Sequence, residues 1–172
     1  MGALAVFLIA IGVADICRKL GTRRWPALLA GPLTVMVGAA VAGLWHPGDI
    51  ILLVIAAAVS VVWVILGDAA ERTGTRQGRA LTAFGLGATL IVALGGWASP
   101  VAGPIGWWLP WIGLGEVEPQ RALMVVGVVL LQLVTANQLV RLILGAVGAV
   151  RPVGVPQPCL LYTSPSPRDA TL

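Results

Sequence analysis

Residues 50–67 contain a single polar side chain, Ser60. A run of that length and composition has no face to offer water, and it is long enough to matter. About 20 residues at the rise of an α-helix cross a hydrocarbon core of roughly 30 Å. Comparable runs cover residues 1–17, 26–45, 80–98 and 122–148, with polar residues gathered between them. In lipid every backbone N–H and C=O must be satisfied inside the segment, so each run is expected to be a helix. The fold class that follows is all-α: a polytopic transmembrane helical bundle of about five spans occupying residues 1–150.

Composition supports this class and removes others. Charged residues make up 10% of the chain, against about 25% in soluble domains. The mean hydropathy is +0.95. The pI near 10.0 does not imply nucleic acid, because the cations sit in short connections rather than in one patch. Cys17 and Cys159 supply no disulfide or metal framework. His46 has only Asp49 close by in sequence, so neither a metal nor a cofactor is expected. The first run has no basic residues before its apolar core, unlike a cleavable signal peptide. It is slightly short for a crossing, so Arg18 and Lys19 are expected to snorkel to the headgroups.

The connections carry a charge alternation. Arg18, Lys19, Arg23 and Arg24 follow the first run, and the WHPGD connection has no Lys or Arg. Arg72, Arg76 and Arg79 follow the third run, residues 99–119 have none, and Arg141 and Arg151 flank the end of the fifth. Cytoplasmic loops are enriched in Lys and Arg. The N-terminus is therefore expected outside the plasma membrane and the end of the fifth span in the cytoplasm. Within WHPGD, Pro47 and Gly48 suit a turn, and Asp49 suits an N-cap for a helix beginning at Ile50.

Residues 159–169, CLLYTSPSPRD, depart from the narrow alphabet of the rest. They resemble the in-frame translation of a transposase adapter used in preparing sequencing libraries. The resemblance implies a native chain cut near Pro158, with residues 151–158 the start of its C-terminal region and no role for Cys159 or Tyr162. Residues 1–158 resemble small multi-spanning membrane proteins of actinobacterial type, through arginine used almost without lysine and an Ala/Gly/Val bias. That resemblance implies a location and no chemistry.

Few polar groups lie within the runs. In the fifth, Thr135, Gln138 and Arg141 share an arc, Asn137 lies four residues before Arg141, and Gln132 falls to the side. Such an arc either lines a solute path or hydrogen-bonds neighbouring helices. Asp15, near the inner end of the first run, either pairs with Arg141 as a proton-coupled site or makes a local contact with Arg18. Asp68, Glu71 and Arg72 suggest a cytoplasmic metal and phosphate site like that of lipid-phosphate transferases. The second acidic motif that such chemistry needs is missing from the chain, and a charged loop explains the same residues.

Trp97, Trp107, Trp108 and Trp111 are placed as an interfacial belt, with a short Trp-rich segment between Pro104 and Pro110; an aromatic platform for a ligand is the competing use. Gly38/Ala42, Ala39/Gly43, Ala56/Ser60 and Ala83/Gly87 are spaced for close helix packing, either within the bundle or against a homo- or hetero-oligomeric partner. Three roles stay open: a non-catalytic scaffold or partner subunit, a small transporter or channel component, and a lipid-headgroup enzyme. Besides such a partner subunit, the lipid bilayer is the expected partner. Reporter fusions after Gly48 and after Gly74 are expected to report opposite faces of the membrane.

Overall fold

The computed structural model describes residues 1–20, 24–73 and 77–146, and within them it is all-helical, with no strand. The side chains of Glu71 and Arg72, together with Arg23, Arg76, Arg151 and the segment 151–172, lie outside the described residues. The helices are α1 (Gly2–Leu20), α2 (Arg24–Ala42), α3 (Pro47–Thr73), α4 (Gln77–Ala93), α5 (Ile105–Trp111), α6 (Pro119–Leu130) and α7 (Ala136–Ala146). A 3-10 turn, Gly95–Trp97, follows α4, and a π-turn, Leu131–Thr135, joins α6 to α7. Backbone angles at Leu130, Leu131 and Ala136 are all right-handed helical, so α6, the π-turn and α7 form one rod.

Three helical stretches are long and apolar enough to cross a membrane: Trp25–Ala42, Pro47–Ala70 and Pro119–Leu144. The other two expected crossings fall short of that standard for separate reasons. α4 has 17 residues, because the Gly95-Gly96 pair ends the helix before residue 98. α1 carries Asp15, Arg18 and Lys19 within its length, which is more charge than a lone rod can take into lipid.

α1 is not a lone rod. Eleven of its residues are buried, on all sides of the helix. α2, α3, α6 and the π-turn surround it, and α4 touches it. Phe7 of α1 stacks on Phe84 of α4 with ring centroids 5.8 Å apart, and Trp63 of α3 meets the same ring at 5.5 Å. Surfaces facing outward are aliphatic instead: Leu29, Leu33 and Met36 on α2, Ile51, Val54 and Ile65 on α3, Leu86 and Leu90 on α4, and Val125 and Leu133 on the last rod are all exposed. Apolar surface of that extent marks contact with lipid or with other protein.

Glycines set the distances around α1. A Cβ on Gly38 would stand 2.8 Å from Val6, and one on Gly127 would stand 3.0 Å from the Ala5 carbonyl oxygen. Gly12 faces Leu130 at 3.3 Å, and Gly87 of α4 faces Val59 of α3 at 2.7 Å. Ala39, Ala42, Ala56 and Ser60 are fully or almost fully buried. The small residues spaced by four are thus largely used inside the bundle. Among the described α-helical glycines, Gly78 and Gly85 on α4 meet nothing within 4 Å.

One end of the bundle is stitched by main chain. Gly43, at φ +70°, ends α2 in the left-handed region that glycine reaches without strain. The Leu44 N–H reaches back to Ala39 O at 3.0 Å, and Ala42 O accepts from both Ala102 and Gly103. Asp49 does not cap a helix starting at Ile50. The helix begins at Pro47, a residue whose fixed φ and missing N–H suit a first turn. Asp49 therefore lies inside that turn, where Oδ2 accepts the His46 N–H at 3.2 Å. It is fully buried, and it also takes the Ser99 N–H at 3.0 Å and the Ser99 hydroxyl.

α3 extends to Thr73, through Asp68, Glu71 and Arg72 that were expected in a loop, because Ala69, Ala70 and their neighbours favour helix. The last rod starts at Pro119, and Arg121 stands at an end where the charge alternation had no cation. There Arg121 pairs with Glu118 at 3.1 Å on the exposed surface. Gly43→Val should lower the thermal midpoint in detergent by several degrees, because it strains φ and pushes on the Gly103 backbone 2.8 Å away. Gly85→Ala, with open space around it, should leave the midpoint unchanged or raise it.

Candidate functional site

The deepest polar cluster lies toward the Lys19 end of α1. Asp15 is entirely buried, four residues beyond Ile11 and on the same stripe of a helix that packs on every side. Its Oδ1 accepts the Trp63 indole N–H at 3.1 Å and faces Arg18 Nε at 3.7 Å. Arg18 turns inward rather than snorkelling. Its side chain is only 12% exposed, and Nη2 donates to Gln138 Oε1 of α7. Gly67 of α3 leaves room for that pairing: a Cβ there would stand 3.0 Å from Gln138 Nε2 and 3.3 Å from Arg18 Nη1. Lys19, at the next position, is exposed and donates to the Val134 carbonyl at 2.5 Å.

The π-turn sets which face of the last rod meets this cluster. The Ala136 N–H donates to Leu131 O, five residues back, so the turn holds one residue more than an α-helix would. Two turns beyond buried Gly127 a regular helix would point Val134 inward; the extra residue puts Thr135 there. Thr135, Gln138 and Leu142 are the buried positions that follow. Thr135 faces the Asp15 carboxyl from the π-turn. Their contact does not meet full hydrogen-bond geometry: among the described residues Asp15 Oδ2, Thr135 Oγ1 and Gln138 Nε2 have no hydrogen-bond partner.

The expected polar residues are therefore divided. Asp15, Thr135 and Gln138 come together. Arg141, Asn137 and Gln132 are exposed on the other faces of the rod, and no Asp15–Arg141 pair forms. Arg141 is rotated by about 60° from Gln138 at 100° per residue, so it leaves the bundle where Leu142 enters it. Asp15 pairs locally with Arg18, inside the bundle rather than among headgroups. Asp68 is half-buried on α3, next to Gly67. Among the described residues no group of three or more metal-ligating side chains exists.

Trp63 and Gly67 belong to the cluster without having been singled out. The available signal was an indole inside an apolar run, one turn before its end at Gly67, where its N–H requires an acceptor.

At the stitched end, Gly43, Trp45, His46, Pro47, Ser99, Pro100 and Ala102 line a wide-mouthed hollow of about 440 Å³. Trp45 and His46 are exposed there. Trp97, Trp107, Trp108 and Trp111 are 57–85% exposed, and α5 is a short helix that keeps Leu109 inward and its indoles outward.

Comparison with protein-family models, with curated proteins and with solved structures finds no match. Trp63→Phe keeps the ring's bulk but removes the donor from a buried carboxyl. It should cost about 1–2 kcal/mol in unfolding measured in micelles, whereas Trp108→Phe on the exposed belt should cost a few tenths.

Proposed function

We propose that the chain is an integral membrane protein that crosses the plasma membrane five times, through α1, α2, α3, α4 and the α6–α7 rod, and acts as a non-catalytic scaffold or partner subunit. The N-terminus would lie outside and the end of α7 in the cytoplasm, as the arginine-bearing connections suggest. α1 and α4 can join the three longer crossings because of where they stand. α1 has Asp15 and Arg18 covered by other helices, with Lys19 exposed near its end, and 17 residues of α4 reach about 25 Å at 1.5 Å each.

One observation carries the scaffold role. The polar groups within the bundle are spent on one another across helices: Trp63 on Asp15, Arg18 on Gln138 and Lys19 on the Val134 carbonyl. Side chains used in this way hold α1, α3 and α7 in register, which is what a rigid docking platform needs. A second role, as a small transporter or channel component, is favoured by two buried polar atoms, Asp15 Oδ2 and Thr135 Oγ1, that have no hydrogen-bond partner among the described residues.

A scaffold should purify from native membranes with a defined membrane partner. That association should survive Asp15→Asn and be lost in Gly85→Leu, which fills the open face of α4 without touching the bundle. Loss of a measured solute flux in Asp15→Asn, at unchanged protein level, would support the transporter instead.

A further inference from the structure

We propose that the Asp15 carboxyl is a proton-binding site, and that proton uptake there loosens the hold of α1 on the rod formed by α6, the π-turn and α7. This goes beyond a scaffold role, which needs the cluster only as static glue. Asp15 uses its two oxygens differently. Oδ1 has the Trp63 donor and the Arg18 guanidinium, while Oδ2 has no hydrogen-bond partner among the described residues. The group that faces the carboxyl from the π-turn is the Thr135 hydroxyl, itself fully buried and also without a hydrogen-bond partner among the described residues.

A hydroxyl both donates and accepts. Toward a carboxylate it can turn its O–H onto Oδ2; toward a carboxylic acid it can accept the O–H that Oδ2 has gained. The Trp63 N–H can donate to Oδ1 in both cases. The pocket can therefore solvate either protonation state without moving a helix, which a reversible proton site inside a membrane requires.

The charges around the site connect the proton to the rod. Among the described residues, Arg18 and Lys19 are the cations that act on Asp15. α3 contributes the neutral Trp63 and, next to Gly67, the half-buried Asp68. α7 contributes the neutral Gln138, while its Arg141 and the Arg79 of α4 are exposed. Cys17, half-buried, is the remaining titratable group on α1 near the site.

A proton delivered by hydronium at the Arg18 end binds Oδ2: one O–H bond forms on the carboxyl as one O–H bond of the hydronium breaks, leaving water. The carboxylate charge facing Arg18 Nε is then cancelled. The guanidinium bridges Asp15 to Gln138, so cancelling the Asp15 charge weakens the pairing that orients it toward Gln138. Lys19 holds the rod through the adjacent Val134 carbonyl, in the π-turn. π-Turns often mark functional sites, and this one is the segment that release would free.

The test uses the full chain in vesicles of phosphatidylethanolamine and phosphatidylglycerol, by infrared difference spectroscopy on acidification together with hydrogen exchange. We expect one carboxylic-acid carbonyl band that is absent in Asp15→Asn and displaced in Thr135→Val. Amides of residues 131–138 should exchange several-fold faster in acid than at neutral pH once intrinsic rates are divided out, whereas Asp15→Asn, uncharged throughout, should exchange at the fast rate at both. Should Asp15→Asn fail to accumulate, carbon-13-labelled aspartate in the native chain, compared with Thr135→Val, assigns the same band. Identical difference spectra for the native chain and Asp15→Asn would overturn the proton site. A band at Asp15 with unchanged exchange over 131–138 would overturn its link to the rod.

Discussion

A carboxylate shut away from solvent has to be solvated by protein, and in this molecule that requirement falls on Asp15. Removing an ion from water costs several kcal/mol even after relaxation, so the surrounding helices must return polar contacts to it. An indole from α3 and a guanidinium from α1 itself do so. The guanidinium, facing the same problem, reaches onward to α7. Three helices are thereby tied to one residue. The position of α1 at the centre of the bundle makes this possible, since a charge on a peripheral rod would have stood among the exposed aliphatic side chains.

Close approach of the rods makes so small a bundle tight enough to exclude water. Lipid tails are as apolar as leucine, so burying aliphatic surface between helices gains little in a membrane, and association relies on contact and on hydrogen bonds. Glycine at Gly38, Gly127 and Gly87 brings neighbouring backbones together, as the short Cβ distances show. At the other end, polar main chain replaces side-chain packing. The Ala42 carbonyl and the Asp49 carboxylate collect donors from the connection that follows α4, so that connection is anchored without being buried.

Much of the helical layout was legible from hydropathy alone, because long apolar runs have few alternatives. The five runs begin and end within a few residues of helices, and the errors are instructive. The third run was cut at Gly67 because charge begins at Asp68, yet helix propensity carries α3 on to Thr73. The fourth was extended to residue 98 on apolarity, which the Gly95-Gly96 pair overrode. The site was half legible. Asp15 and the polar residues of the last rod stood out as rare groups in apolar surroundings. Which of them meet could not be read from a constant 100° step, because the π-turn breaks that step at Thr135. Trp63 was hidden for a different reason: an indole counts as apolar in a hydropathy sum, although its N–H must find a partner.

The surplus residue between Gly127 and Thr135 separates two properties of a crossing rod that are usually treated as one. Greasiness depends on which residues are present, whereas azimuth depends on how many precede a given position. Deleting one aliphatic residue from that interval would barely alter the hydrophobic sum. It would let the ladder close as an ordinary α-helix with Thr135 and Gln138 still aimed inward, two turns and three turns past Gly127. The surplus residue thus lengthens the interval by one position, while the identity of the inward side chains is preserved either way.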